Sequence, residues 1–162
     1  MIKYISQALT FSEVPDEASL CLNITNCQYR CPGCHSPYLQ QDTGRDLLES
    51  LPVLLQKYGS DITCVCFMGE GNDPQALVAC LQMVREHGLK TCLYTGGSGL
   101  PLNVSLHYLD YLKIGPYIAE RGGLDKPTTN QRMYRIERNM SGKPGDPSLV
   151  MQNITDRFWP QD

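Results

Sequence analysis

Apolar and polar positions along the chain alternate in two rhythms. Residues 2–5 and 8–13 read as a short edge hairpin or an extended lead-in, closed by the turn Val14-Pro15-Asp16-Glu17. From Ser19 to Thr25, Leu20, Leu22 and Ile24 alternate with other residues, which predicts a strand. Residues 26–44 are rich in Cys, Pro, Gly and polar groups and read as loop. Leu47, Leu48, Leu51, Leu54 and Leu55 then recur at helical spacing over 45–58, with Pro52 inside the run. Asp61 to Met68 is a near-continuous apolar run of strand length, followed by a turn over Gly69–Asp73. Asp73 as N-cap and Pro74 as first residue open a helix over 74–87, which carries Leu77, Val78, Leu81 and Val84 and is ended by Gly88. Leu89–Thr95 reads as a strand, 103–108 as a short helix, Tyr111–Ile114 as a strand, and 132–138 as a last strand. The polar tail over 139–162 carries an isolated Phe158-Trp159.

Strands alternating with helices imply βαβ units. We therefore expect an α/β single domain, an incomplete (β/α) barrel with mainly parallel strands, over 1–138. The tail over 139–162 either packs back on it or docks a partner. Right-handed crossovers would put the C-terminal ends of the strands on one rim, where functional residues collect. Three candidate motifs fall at such ends: the cysteine loop after 19–25, Gly69-Glu70 after 61–68, and Thr95-Gly96 after 89–95.

The 162 residues suit one domain, and a 41% hydrophobic fraction supports a buried core. A net charge of −3 argues against nucleic acid or an anionic membrane as a partner. No apolar run reaches membrane-spanning length, and the N-terminus lacks a signal-peptide pattern, so a cytoplasmic protein is expected. The eight cysteines then read as reduced rather than as a disulfide framework.

Cys27, Cys31 and Cys34 form a C-x3-C-x2-C loop. Three thiolates within eight residues can converge on one inorganic centre, and soft sulfur ligands favour iron–sulfur clusters or zinc. The next cysteine, Cys64, lies 30 positions beyond Cys34, so no fourth thiolate is local. Three ligands with one open position suit a catalytic site. A structural Cys3His zinc site using His35 is the alternative.

This loop resembles the signature of the radical S-adenosylmethionine superfamily. A narrower resemblance, to the activating proteins of anaerobic ribonucleoside-triphosphate reductases, is carried by Asn26-Cys27 through Cys31-Pro32-Gly33-Cys34-His35-Ser36-Pro37. Tyr94-Thr95-Gly96, Asp110 through Tyr117, and Asn130-Gln131-Arg132 extend it. The resemblance implies a 4Fe–4S cluster on Cys27, Cys31 and Cys34, whose fourth iron chelates S-adenosylmethionine. One electron, from a small donor such as flavodoxin or ferredoxin, then yields a 5′-deoxyadenosyl radical that abstracts hydrogen from a glycine of the reductase. The alternatives are an activase of a formate-lyase type of glycyl-radical enzyme, or a zinc-stabilised adaptor.

Two departures from the superfamily pattern stand out. Gly33 occupies the place of an adenine-contacting aromatic, so Tyr29 or His35 could supply stacking area, or Gly33 backbone groups. The Gly-Gly-Glu-Pro turn is here Met68-Gly69-Glu70-Gly71. Gly69 and Glu70 are expected to accept hydrogen bonds from the cofactor's ammonium, and Thr95 to contact the cofactor. The roles of Asn130, Gln131 and Arg132 stay open. Cys64, Cys66, Cys80 and Cys92 read as core residues, Lys113 as a solvated strand-end lysine or else a contact to the cofactor's carboxylate, and His87 and His107 as surface residues.

Overall fold

The computed structural model of the chain describes residues 1–34, 36–139 and 148–160. Its strands are β1 (Lys3–Thr10), β2 (Ser19–Ile24), β3 (Arg45–Asp46), β4 (Cys64–Met68), β5 (Lys90–Tyr94), β6 (Tyr111–Ile114), β7 (Arg132–Asn139) and β8 (Ser148–Asn153). Two α-helices, α1 (Leu47–Tyr58) and α2 (Pro74–Glu86), precede β4 and β5. All eight strands join one sheet in the order β3-β1-β2-β4-β5-β6-β7-β8. The chain is therefore α/β.

The expectation of mainly parallel strands is corrected. Only the β2-β4, β4-β5 and β5-β6 pairings are parallel, and the four flanking pairings are antiparallel. Parallel neighbours need a long crossover, usually a helix. The turn between β1 and β2 is too short to supply one, so those strands run antiparallel. Within residues 2–13 the stretch Lys3–Thr10 forms a single strand rather than a hairpin of its own, with a register irregularity between Tyr4 and Ser6, and β3 flanks it only at Lys3 and Tyr4. Residues 148–153, part of the polar tail, pair with β7 as an edge strand, and a 3-10 turn over Thr155–Phe158 follows.

Local signals explain both helices. The Asp46 carboxylate accepts from Leu48 N at 3.0 Å and Glu49 N at 3.4 Å, capping α1. Leu47, Leu51, Leu54 and Leu55 form its buried stripe, which carries the helix through Pro52 despite the lost backbone donor. Asp73 caps α2 by accepting from Ala76 N at 3.1 Å and also holds the Met1 ammonium at 2.6 Å. Leu77, Cys80, Leu81 and Val84 are the buried face of α2.

Both helices pack on the same side of the sheet, against Leu20, Leu22, Ile24, Val65, Phe67, Leu93 and Leu112. The opposite side has no α-helix among the described residues. It holds a second core of Cys21, Cys64, Cys66, Cys92, Tyr111 and Met133, covered by Val14, Leu124, Ile154 and Phe158 from connecting segments.

Candidate metal and cofactor site

The three parallel crossovers bring the loops after β2, β4, β5 and β6 to one rim, as the βαβ rule requires. The cysteine loop is anchored there through its backbone. Asn26 N donates to Gln41 O and Cys27 N to Leu39 O, both at 3.0 Å, and Thr25 Oγ1 donates to Thr43 O at 2.5 Å. Inside the loop, Cys34 N donates to Cys31 O at 3.1 Å, closing a turn whose Gly33 has φ +74°. A Cβ on Gly33 would meet Tyr117 and Ala119 only at ordinary contact distance, so the left-handed backbone, not lack of space, requires glycine.

All eight cysteines are free thiols, and burial divides them. Cys27, Cys31 and Cys34 are half-buried, whereas Cys21, Cys64, Cys66, Cys80 and Cys92 are buried in the two cores. The core reading of Cys64, Cys66, Cys80 and Cys92 agrees with this placement. Burial raises the Cys27 thiol above its ordinary pKa, and the neighbouring Cys31, Cys34 and Glu70 charges add to that. Among the described residues no three Cys, His, Asp or Glu side chains stand in a preformed metal-binding group. The donor chemistry nevertheless fits a soft metal cluster: three reduced, accessible thiols share one loop, and ligation would draw the loop together.

Tyr29, between the first two cysteines, seats this loop on the sheet. A Cβ on Gly96 would lie 2.9 Å from Tyr29 Cγ, and one on Gly97 would lie 2.8 Å from its hydroxyl oxygen. The Tyr29 ring therefore occupies a space that only a Gly-Gly pair leaves open. Burial and the adjacent Glu70 carboxylate raise the Tyr29 phenol above its ordinary pKa.

Glu70 and Thr95 meet directly. Thr95 Oγ1 donates to Glu70 Oε2 at 2.8 Å and accepts from Gly97 N at 3.1 Å. Gly69 has φ +127° and packs on Ile24, and Gly71 has φ +65°. Proline, locked near φ −65°, cannot adopt the Gly71 conformation, so this turn differs in shape from Gly-Gly-Glu-Pro.

Lys113 corrects the sequence reading. It is not solvated but 8% exposed. Its Nζ donates to Gly115 O at 2.9 Å and Thr95 O at 3.4 Å, and it stands 5.9 Å from the centroid of the Tyr94 ring. Burial lowers its pKa from 10.5 to about 8, opposed by the Cys31 and Cys27 charges. Asn130 and Gln131 brace the turn beside it, and Arg132 bonds back to its own segment. Asn130 Nδ2 donates to Pro116 O at 3.0 Å, Gln131 Nε2 to Gly115 O at 3.4 Å, and Arg132 Nη1 to Thr129 O at 2.7 Å.

A cavity of about 270 Å³ opens at the rim, with Cys34, Met68, Gly69, Thr95, Lys113 and Tyr117 among its lining. Glu70 and Tyr29 line a neighbouring cavity of about 220 Å³, beside Leu77 and Val104. The structure thus brings together Cys34, Gly69 and Thr95, with Glu70 bonded to Thr95. Gly33 lines neither cavity, and His35 lies outside the described residues. His87 and His107 are exposed. Sequence reasoning missed the Tyr29 seat and the burial of Lys113. The adjacent Gly96-Gly97 was the available signal for the first, since paired glycines mark close approach. No helix among the described residues is long and apolar enough to cross a membrane. Comparison with protein families, curated proteins and solved structures finds no match to this chain.

Proposed function

We propose that this chain is a radical S-adenosylmethionine activase that installs a glycyl radical on an anaerobic ribonucleotide reductase. The observation that carries the reading is the division of the cysteines. The C-x3-C-x2-C trio alone is accessible, on a loop beside a buried lysine that has no carboxylate partner among the described residues. A 4Fe–4S cluster with bound S-adenosylmethionine would supply the reductive cleavage that makes a hydrogen-abstracting carbon radical.

The chain's own residues then have separable tasks. Cys27, Cys31 and Cys34 would hold the cluster through three thiolates, and three protein ligands are what an open catalytic site needs. Lys113 offers its ammonium to a carboxylate in the rim cavity, where low dielectric strengthens the pairing. Glu70 accepts from an ammonium, with Thr95 fixing its orientation. Tyr29 locks the ligand loop to the Gly96-Gly97 backbone. The rows of side chains on the face without α-helices resemble the interior of a part-barrel, and the open rim suits a substrate that is a loop of another protein. Flavodoxin or ferredoxin would supply the electron.

Anaerobic reconstitution with iron and sulfide tests this reading. A brown protein that cleaves S-adenosylmethionine under dithionite, and yields a glycyl doublet by electron paramagnetic resonance when mixed with the reductase, is the expected result. A doublet only with a formate-lyase type partner would reassign the substrate. A colourless protein that holds one zinc and leaves the cofactor intact would refute the enzyme reading.

A further inference from the structure

The face of the sheet without α-helices is layered. Across β2, β4, β5 and β6 the register aligns Asn23, Met68, Tyr94 and Lys113 in one row, and Cys21, Cys66, Cys92 and Tyr111 in the row beneath. The upper row forms the floor of the rim cavity that Cys34 borders. The lower row holds three thiols, with Cys66 and Cys92 wholly buried and Cys21 5% exposed. Met68 Sδ lies 3.5 Å from Cys66 Sγ, so Met68 both touches that thiol and lines the cavity. Burial holds Cys66 well above its ordinary pKa, so it keeps its proton. The one O–H in the floor row, that of Tyr94, is committed to Glu13 O.

A thiol S–H bond is weaker than the C–H bond of a primary carbon, so an accessible thiol quenches a primary carbon radical. From this layering we infer that Met68 is a shield that keeps Cys66 from acting as a hydrogen donor to the radical chemistry of the rim. The inference rests on the activase reading. In the quenching that Met68 prevents, a hydrogen atom passes from Cys66 Sγ to the primary carbon. The S–H bond breaks, a C–H bond forms, and the unpaired electron is left on sulfur. One cofactor and one electron from the donor are consumed while the partner's glycine stays unmodified. Methionine suits the position because a thioether fills the gap beside a thiol yet carries no S–H.

Two measurements test the shield, the first without any cofactor. Native, cluster-free protein is treated with iodoacetamide and the alkylated cysteines are mapped by mass spectrometry. Cys66 should react about tenfold faster or more in Met68→Ala than in the parent, and at the parent rate in Met68→Leu, since exposure governs reaction of a thiol of fixed acidity. In reconstituted protein, Met68→Ala should release several-fold more 5′-deoxyadenosine per glycyl radical formed, and adding Cys66→Ala to it should restore the parent ratio. Unchanged alkylation, an unchanged ratio, or a ratio that Cys66→Ala does not restore each overturns the shield. A parent protein that makes no 5′-deoxyadenosine would instead sink the activase reading, and the alkylation result alone would then decide whether Met68 covers Cys66.

Discussion

Replacing Lys113 with methionine should make the protein more stable and less competent. The lysine is buried, and among the described residues its ammonium is met by the carbonyl oxygens of Gly115 and Thr95 and by the Tyr94 ring. Its drop from 10.5 to about 8 is chiefly a desolvation effect. At about 1.4 kcal/mol per pH unit, holding the charge there costs about 3 kcal/mol. Losing the donor leaves two carbonyls less well paired, at about 1 kcal/mol, because Gln131 Nε2 still reaches Gly115 O. Methionine has a similar volume and no charge, so Lys113→Met should gain about 2 kcal/mol near neutral pH. For a chain of this size that raises Tm by about 4–8 °C.

The gain has a defined pH course. Unfolded, the lysine keeps its proton up to about 10.5, whereas folded it releases it near 8. Between those values the unfolded state binds more protons, so the parent's stability rises with pH. The advantage of methionine is therefore full below about 8 and fades as pH approaches 10.5. Urea melts of parent and variant as reduced, metal-free protein across this range measure the difference directly. S-adenosylmethionine binding to the reconstituted variant should fall in parallel. A variant no more stable than its parent at neutral pH, or a gain that does not shrink in alkali, would refute the claim that this charge is held at a cost.

Three further outcomes follow from the geometry. Cys27→Ala, Cys31→Ala and Cys34→Ala should each abolish 5′-deoxyadenosine formation, measured by chromatography, while Cys80→Ala, in the core face of α2, keeps it and loses about 1 kcal/mol of stability. Gly96→Ala places a Cβ 2.9 Å from Tyr29 Cγ and should cost about 1–3 kcal/mol. It should also speed protease cutting within residues 26–44 and lower iron uptake, whereas Gly99→Ala, with open space around its Cβ, should do neither. Asp110 accepts from Arg85 Nη1 at 2.8 Å, Arg138 Nη1 at 3.0 Å and Thr91 N at 2.9 Å, joining α2, β5 and β7 at the start of β6. Asp110→Ala removes the acceptor shared by these donors, while solvent still reaches both arginines and Arg138 keeps His107 O, and should lower unfolding free energy by about 1–2 kcal/mol in denaturant melts.

Local chemistry made much of this protein legible from its residues. The spacing of Leu47, Leu51, Leu54 and Leu55 specifies α1, and Asp73-Pro74 opens α2, because helix faces and caps are set within a few positions. The alternation of Leu20, Leu22 and Ile24 marks β2. The C-x3-C-x2-C spacing singles out the three cysteines, since a loop that short lets its thiols converge on one centre. Tertiary structure decided the rest, because a period of two says which residues share a face and nothing about what lies across from them. The strand spacing could not say that β1, β7 and β8 run antiparallel, or that residues 148–153 complete the sheet. Nor could it say that Lys113 sits beside Tyr94, buried, with Met68 in the same row. Those relations depend on strand register between segments tens of residues apart. That register is settled by how the two helices and the connecting segments bury both faces of the sheet at once.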